Sequence, residues 1–195
     1  MNVVVIRYHS GNIQSVLFAL QRIGIMPTLS SDPAVISKAD KVIFPGVGEA
    51  SGTMKELKTL GLDTVIKELK QPFLGICLGL QLMCKHSEEG NTEALDIFNL
   101  NVKKFIPENN MKVPHVGWNT IQNPEGPLFK GIPENSYVYY VHSFYAEIGK
   151  ETSANTNYIN PFSASLYKDN FYAVQFHPEK SGVVGENILK NFISL

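Results

Sequence analysis

The stretch Pro72-Phe73-Leu74-Gly75-Ile76-Cys77-Leu78-Gly79-Leu80-Gln81-Leu82-Met83 constrains this chain more than any other. A short apolar run bounded by Pro72 reads as a buried strand, and from Leu78 to Lys85 apolar residues recur at helical spacing. Cys77 therefore falls where strand gives way to helix. Gly75 and Gly79, two residues before and two after it, permit the cramped turn of a nucleophile elbow, the arrangement that Gly-x-Ser-x-Gly gives a hydrolase serine. Such a turn presents the thiol to solvent at a helix N-terminus, where unpaired N–H groups and the helix dipole lower a thiol pKa. A drop of one or two units raises the thiolate fraction at neutral pH by roughly an order of magnitude. A free cysteine is more often a small buried hydrophobe, but that use needs no flanking glycines. Cys84, on the same helix without this setting, is read as core.

The segments before the elbow alternate. Asn2 to Ile6 is a β-branched run and hence a buried strand, followed by the polar turn Tyr8-His9-Ser10-Gly11-Asn12. Ile13, Val16, Leu17, Leu20 and Ile23 then form a helical stripe that Gly24 closes. Ile25 to Leu29 is a second strand, Asp32-Pro33 opens a short helix, and Val42-Ile43-Phe44 is a third buried strand. It runs into Pro45-Gly46-Val47-Gly48-Glu49-Ala50, then a helix from about Ser51 to Leu60. Alternation of this kind predicts a three-layer α/β architecture: an open, mixed but mostly parallel sheet with helices on both faces, binding its ligand beyond the carboxyl ends of the strands. The glycines around Val47 suit either a plain turn or a loop that exposes backbone N–H groups, and the expected position beside the elbow favours the second. From Asn101 the character changes. Val102–Ile106, His115–Ile121, Tyr137–Ala146, Ser163–Tyr167 and Phe171–Phe176 read as antiparallel additions, and a last helix covers about Gly185 to Phe192.

At 195 residues, 44% apolar and 18% charged, the chain suits one domain spanning 1–195. A net charge of −1 without a basic cluster argues against nucleic acid or a membrane surface as partner. No apolar stretch approaches the ~20 residues of a membrane span, and the two cysteines fit a reducing, cytoplasmic setting.

A second constellation lies in Gln175-Phe176-His177-Pro178-Glu179. Pro178 biases His177 toward extended backbone, where side chains at i and i+2 point the same way, so His177 and Glu179 can sit side by side. A carboxylate beside a histidine orients the ring and stabilises the imidazolium; with Cys77 this completes a nucleophile, base and orienter set. Alone, a His-Pro-Glu at a strand end would be a solvated turn. Of the other histidines, His9 lies in a turn, His86 at the end of the elbow helix, and His115 and His142 on strands. None has metal-ligand spacing, and Gly-Val-Gly at 46–48 lacks the third glycine of a dinucleotide fingerprint, so neither metal nor cofactor is expected.

Together, Gly75-Ile76-Cys77-Leu78-Gly79-Leu80-Gln81 and Gln175-Phe176-His177-Pro178-Glu179 resemble the nucleophile and His-Pro-Glu segments of class I (triad-type) glutamine amidotransferases. Within that class Gly11-Asn12-Ile13-Gln14-Ser15-Val16, Pro45-Gly46-Val47-Gly48, Val113-Pro114-His115-Val116-Gly117-Trp118-Asn119 and Tyr137 to Tyr145 are similar to the glutaminase subunits of imidazole glycerol phosphate synthases. The resemblance implies a flavodoxin-like sheet and hydrolysis of glutamine through Cys77, His177 and Glu179. It implies an oxyanion hole from backbone at Leu78 and in Gly46, Val47 and Gly48, and a glutamine site at Gln81, His142, Ser143 and Phe144. It further implies a (β/α)8-barrel cyclase partner that receives the ammonia, faced by Asn12, Trp118, Tyr139 and Lys180. Where family members commonly carry an acidic residue and a glycine after the first strand, this chain has Arg7-Tyr8-His9-Ser10.

Two other readings share these residues. Another class I amidotransferase component, such as that of anthranilate or aminodeoxychorismate synthase, would lack the Pro-Gly-Val-Gly and Pro-His-Val-Gly-Trp stretches. A stand-alone cysteine γ-glutamyl hydrolase would turn over fully without a partner. An inactive binding protein would have no use for Cys77, His177 and Glu179 together.

Overall fold

The structure, a computed structural model of the chain, describes residues 1–8, 13–46, 48–108 and 110–195. Its first half follows the apolar pattern: β1 (Val3–Ile6), α1 (Ile13–Arg22), β2 (Thr28–Ser30), α2 (Pro33–Ser37), β3 (Lys41–Phe44), α3 (Ala50–Thr59), α4 (Leu62–Glu68), β4 (Phe73–Ile76) and α5 (Leu78–Met83). Local chemistry sets the boundaries. Gly24 takes φ +83° just past α1, and the Asp32 carboxylate caps α2 by accepting the Ala34 N–H, with Pro33 in the first turn. The unforeseen α4 is short and opens from Gly61 in left-handed backbone, φ +68°.

The second half contains β5 (His86–Ser87), β6 (Thr92–Glu93), β7 (Asn101–Lys104), β8 (His115–Thr120), β9 (Tyr137–His142), β10 (Phe144–Ala146), β11 (Thr152–Asn157), β12 (Pro161–Lys168), β13 (Phe171–Val174) and α6 (Gly182–Ile193). Seven strands form the main sheet, in the order β11-β12-β13-β4-β3-β1-β2. β2, β1, β3, β4 and β13 are mutually parallel, and only β12 and β11 are antiparallel additions. The expectation that all strands after Asn101 run antiparallel is therefore corrected at β13, which docks parallel beside the elbow strand. The expected single strand Tyr137–Ala146 is split at Ser143: β9 pairs with β8 as a separate ribbon, whereas β10 joins the small sheet β10-β7-β5-β6. His86 lies in β5 rather than at the end of the elbow helix, bonded to Asn91 at 3.0 Å.

Successive residues of the central strands serve opposite faces, as the pleat requires. Val4, Ile6, Val42 and Phe44 pack against Ile36, Leu57, Ile66 and Leu80 of α2 to α5. Val3, Val5, Ile43 and Leu74 pack against Val16 and Leu20 of α1 and Ile188 and Phe192 of α6. Three layers result, and β1, β3, β4 and β13 are buried throughout because both their faces are covered. Among the described residues no helix is long and apolar enough to cross a membrane.

The elbow glycines act through contact rather than through the turn itself. Positive φ falls on Cys77, at +53°, whereas neither Gly75 nor Gly79 has it. A Cβ on Gly79 would stand 2.4 Å from the Phe44 carbonyl oxygen, and one on Gly75 would stand 2.5 Å from the Met83 sulfur and 2.9 Å from the Gly79 carbonyl carbon. The first turn of α5 is thus pressed onto the end of β3. Because Phe44 O is backbone in a fully buried strand, it cannot yield. Gly79→Ala is expected to lower unfolding free energy by about 2 kcal/mol or more, read as a lower urea midpoint with an unchanged slope. A wild-type midpoint would show that the contact is not tight.

Candidate active site

Three neighbouring parallel strands end on one edge of the sheet: β3 leads into Gly46 and Gly48, β4 into Cys77, and β13 into His177. Register aligns them, with Phe44 opposite Gly75 and Val174 opposite Ile76. The cavity at this edge measures about 380 Å³, and Gly46, Gly48, Cys77, Leu78, Gln81 and His177 are among its lining residues.

Cys77 holds φ 53° and ψ −105°, outside the regions open to ordinary side chains. Such strain costs of order 1–3 kcal/mol and persists only where surroundings over-determine it. Here the Cys77 N–H donates to Val174 O at 2.8 Å, and the Cys77 carbonyl accepts the Gln81 N–H at 3.2 Å. The thiol is only 7% exposed. Against expectation it does not face open solvent; it sits in the cavity wall. Leu78, as the first residue of α5, has no acceptor for its N–H within the helix. Cys84 is fully buried, and burial pushes its thiol pKa well up.

His177 has extended backbone, φ −97° and ψ 96°, as its place before proline dictates. Glu179 does not continue that extension but lies in the 3₁₀ turn Pro178–Lys180, and the turn delivers its Oε1 to His177 Nδ1 at 2.8 Å. The ring is also held through its backbone. Its N–H donates to Tyr139 O at 2.8 Å, and its carbonyl accepts the Ser181 hydroxyl, whose oxygen in turn accepts the Tyr139 N–H at 3.0 Å. Burial pulls the His177 pKa down, but hydrogen bonding and charge from Cys77 and Glu179 outweigh it and raise it to about 10. The ring is therefore an acid at neutral pH. With Nδ1 committed to the carboxylate, Nε2 is the nitrogen left for proton transfer.

The other side of the cavity is neutral. His142 Nδ1 donates to Phe144 O at 2.8 Å, which leaves His142 Nε2 to accept from His115 Nδ1 at 3.0 Å. His115 Nε2 then faces the Asn119 amide at 3.4 Å. His115 also stacks between Tyr140 and Tyr158, with ring centroids 4.9 and 3.9 Å away. Burial lowers the His115 pKa to about 4; burial, with the charges of His115 and His177 against the Phe144 hydrogen bond, lowers that of His142 to about 3.

Of the residues singled out in the sequence, Cys77, His177, Gly46, Gly48, Leu78, Gln81, His142, Ser143, Phe144 and Lys180 all line this cavity, and Glu179 stands behind His177. Asn12 and Val47 lie outside the described residues. Trp118 is 55% exposed on β8 and packs edge-on against Tyr139, centroids 5.8 Å apart. Lys180 extends over the Tyr139 ring at 6.0 Å. These two rings are on the open face of the ribbon rather than in a sheet core. Sequence reasoning missed Glu89, whose carboxylate lines the cavity and accepts the Ala50 N–H at 2.8 Å. Burial, more than that bond offsets, raises its pKa, with Glu49 adding to the rise. It also missed Gln175, which the i, i+2 parity with His177 and Glu179 could have flagged, and Tyr8, whose hydroxyl donates to Pro45 O beside the glycine loop. Among the described residues no group of three His, Cys, Asp or Glu could hold a metal.

Fold and geometry define a class: an α/β enzyme built around a strand–cysteine–helix turn with a buried histidine–carboxylate pair beside it. The family model for class-I glutamine amidotransferases matches residues 4–195. The HisH subunit of imidazole glycerol phosphate synthase from Bacteroides thetaiotaomicron is 56% identical over 196 residues, covering 100% of both chains. The corresponding subunit from Bacteroides fragilis is 58% identical with the same coverage. A crystal structure of a putative GMP synthase component from Thermoplasma acidophilum superposes with a TM-score of 0.75 over 100% of this chain and 93% of its own, at 22% identity, a likeness of fold. The chain belongs to the class-I glutamine amidotransferase family and, within it, to the HisH subunits of imidazole glycerol phosphate synthase.

The neutral histidine pair carries a prediction for folding. Unfolded, each ring takes a proton near its ordinary value of 6.5; folded, His115 does so only near 4 and His142 near 3. Above 6.5 these two rings bind no protons in either state, and below it the unfolded rings bind more. Stability is therefore expected to fall as pH drops from about 6.5 to about 4. Urea midpoints across that range check this, and the fall is expected to shrink in His115→Phe. An equal fall in the variant would assign the acid sensitivity to other groups.

Proposed function

We propose that this chain hydrolyses glutamine to glutamate and ammonia and passes the ammonia to a (β/α)8-barrel cyclase, its partner in a heterodimer in the cytoplasm. There the ammonia joins a ribulosyl aminoimidazole nucleotide to give imidazole glycerol phosphate and AICAR in histidine biosynthesis. The observation that carries the chemistry is the Cys77 thiol in a cavity shared with a histidine whose far nitrogen is 2.8 Å from a buried carboxylate.

In this reading the Cys77 thiolate attacks the carboxamide carbon, and the carbonyl oxygen, becoming anionic, takes a hydrogen bond from the Leu78 N–H. Backbone of the Gly46–Gly48 loop would supply a second donor. Each donor is worth about two to three orders of magnitude in rate. His177 Nε2 gives its proton to the departing nitrogen, so ammonia leaves and a γ-glutamyl thioester remains. Water then attacks, losing a proton to His177, and the C–S bond breaks with its electron pair returning to sulfur. Glu179 holds the ring in the orientation that serves both transfers. The Glu89 carboxylate in the cavity wall suits the substrate's α-ammonium: a cation there would relieve the cost of its burial. Gln81, Ser143 and Phe144 shape the remaining wall.

The partner reading draws on the subunit name of the relatives and on the ribbon of β8 and β9. Val116, Trp118, Tyr137 and Val141 are all exposed on that ribbon, an apolar face of the kind that marks a protein contact. Both cysteines are free thiols, which suits a reducing compartment.

The test is glutamate release by the purified chain, alone and with a barrel cyclase from the same organism plus its nucleotide ligand. Slow release alone and a large rise in the complex are expected, with Cys77→Ala as the blank. Fast release that ignores the partner would make the chain an independent hydrolase. In the complex, Glu89→Gln is expected to raise KM for glutamine by about 10- to 100-fold, the loss of one charged hydrogen bond, with a smaller effect on kcat. An unchanged KM would remove Glu89 from the substrate site.

A further inference from the structure

Gln175 is fully buried at the end of the strand that leads to His177. Its neighbours dictate which way its amide points. The Phe144 carbonyl can only accept, and it lies 2.8 Å from a terminal atom of Gln81, so that atom is the amide nitrogen. The same nitrogen is 3.1 Å from a terminal atom of Gln175, which must then be the oxygen. The remaining end of Gln175 is its NH₂, and it faces the Cys77 sulfur at 3.6 Å. A main-chain carbonyl across the cavity thus aims an N–H at the sulfur through two glutamine side chains.

We propose that Gln175 is a catalytic residue: its carboxamide N–H donates to the Cys77 sulfur, favours the thiolate and fixes the direction of its lone pairs. The inference rests on Cys77 being the nucleophile. Besides the His177 ring, which also hydrogen-bonds with Cys77, the sulfur faces Val141 O at 3.7 Å, an acceptor that serves only the protonated thiol. Gln175 therefore tips a balance that Val141 O would tip the other way. Its action differs from that of His177. The imidazolium surrenders its proton to the departing ammonia, whereas an amide does not ionise and donates at every stage. When the thioester breaks down and the electron pair returns to sulfur, His177 is only then regaining a proton from water, and the Gln175 N–H is already in place for the leaving thiolate.

The readout is the pH dependence of Cys77 alkylation by iodoacetamide, with the labelled peptide identified by mass so that buried Cys84 does not contribute. Gln175→Met keeps the volume and removes the donor. Gln175→Glu keeps an oxygen for Gln81 and sets a second oxygen, not an N–H, against the sulfur. In each folded variant the apparent thiol pKa is expected to rise by about one to two units, with about 10- to 100-fold slower alkylation at neutral pH. kcat is expected to fall with KM nearly constant. An unchanged alkylation profile in Gln175→Met overturns the proposal, and if that variant does not fold, an unchanged profile in Gln175→Glu does so. Wild-type protein that alkylates at Cys77 but releases no glutamate from glutamine would defeat the glutaminase reading instead, and the alkylation comparison would still decide the role of Gln175.

Discussion

The close approach of α5 to the end of β3 governs the rest of the site. A Cβ on Gly46 would stand 2.2 Å from Gly79 N, 2.4 Å from Ile76 O and 2.5 Å from Leu78 N, and one on Gly79 would meet Phe44 O. Two backbones therefore touch where side chains would hold them apart. That contact brings Gly46 against the first turn of α5, beside Cys77. At the same junction the turn at Cys77 takes its φ of 53°. The strain survives because β4 is clamped between β3 and β13 and covered on both faces, and a distortion that relaxed Cys77 would have to break the Val174 hydrogen bond or open the layers.

Around that sulfur the buried polar groups divide by charge. One side holds the Glu179 carboxylate and the His177 ring, whose pKa Cys77 and Glu179 together raise; the other holds His142, His115, Gln81 and Gln175, all neutral and nearly all hydrogen-bonded within the protein. A third titrating group on the neutral side would blur which residue gives and takes the proton. Burial prevents this, since His142 stays uncharged far below neutral pH and the neighbouring positive charge of His177 pushes it further in that direction. Neutral groups can be buried at moderate cost when their partners are satisfied, so this side of the cavity is polar without being ionic.

The parts legible in the sequence are those set by local rules. A β-branched run followed by a helical stripe specifies a covered parallel strand whatever its neighbours, and the glycine spacing around Cys77 marks a tight strand-to-helix junction. β11 escaped because Thr152–Asn157 carries almost no apolar signal: it is an edge strand held by hydroxyl contacts such as Ser153 to Ser165 at 2.9 Å. The direction of β13 was illegible for another reason. Its residues fit either orientation, and the choice is made by the vacant edge of β4, which no local window contains. Glu89 reads as one of several acids in a polar loop, and only the remote packing that carries that loop back against α3 puts it into the cavity wall. Gln175 is intermediate, since strand parity places it on the His177 side but its meaning depends on Gln81 and Phe144.

Tyr139 shows how short the path is from the molecular surface to the reactive ring. Its side chain lies between exposed Trp118 and the Lys180 ammonium, while its backbone oxygen and nitrogen hold the His177 N–H and the Ser181 hydroxyl. A strand residue has this double character because its side chain and its main-chain groups point in perpendicular directions. Any displacement of the ribbon that shifts the Tyr139 backbone must either move His177 with it or lengthen a 2.8 Å hydrogen bond. Glu179 follows His177 through the 3₁₀ turn, while the Cys77 N–H is bonded to Val174 O of β13, the strand that leads to His177, and its sulfur faces Val141 O of the ribbon. The ribbon therefore meets the reactive ring through the Tyr139 backbone and the sulfur through Val141 O, at its junction with the sheet.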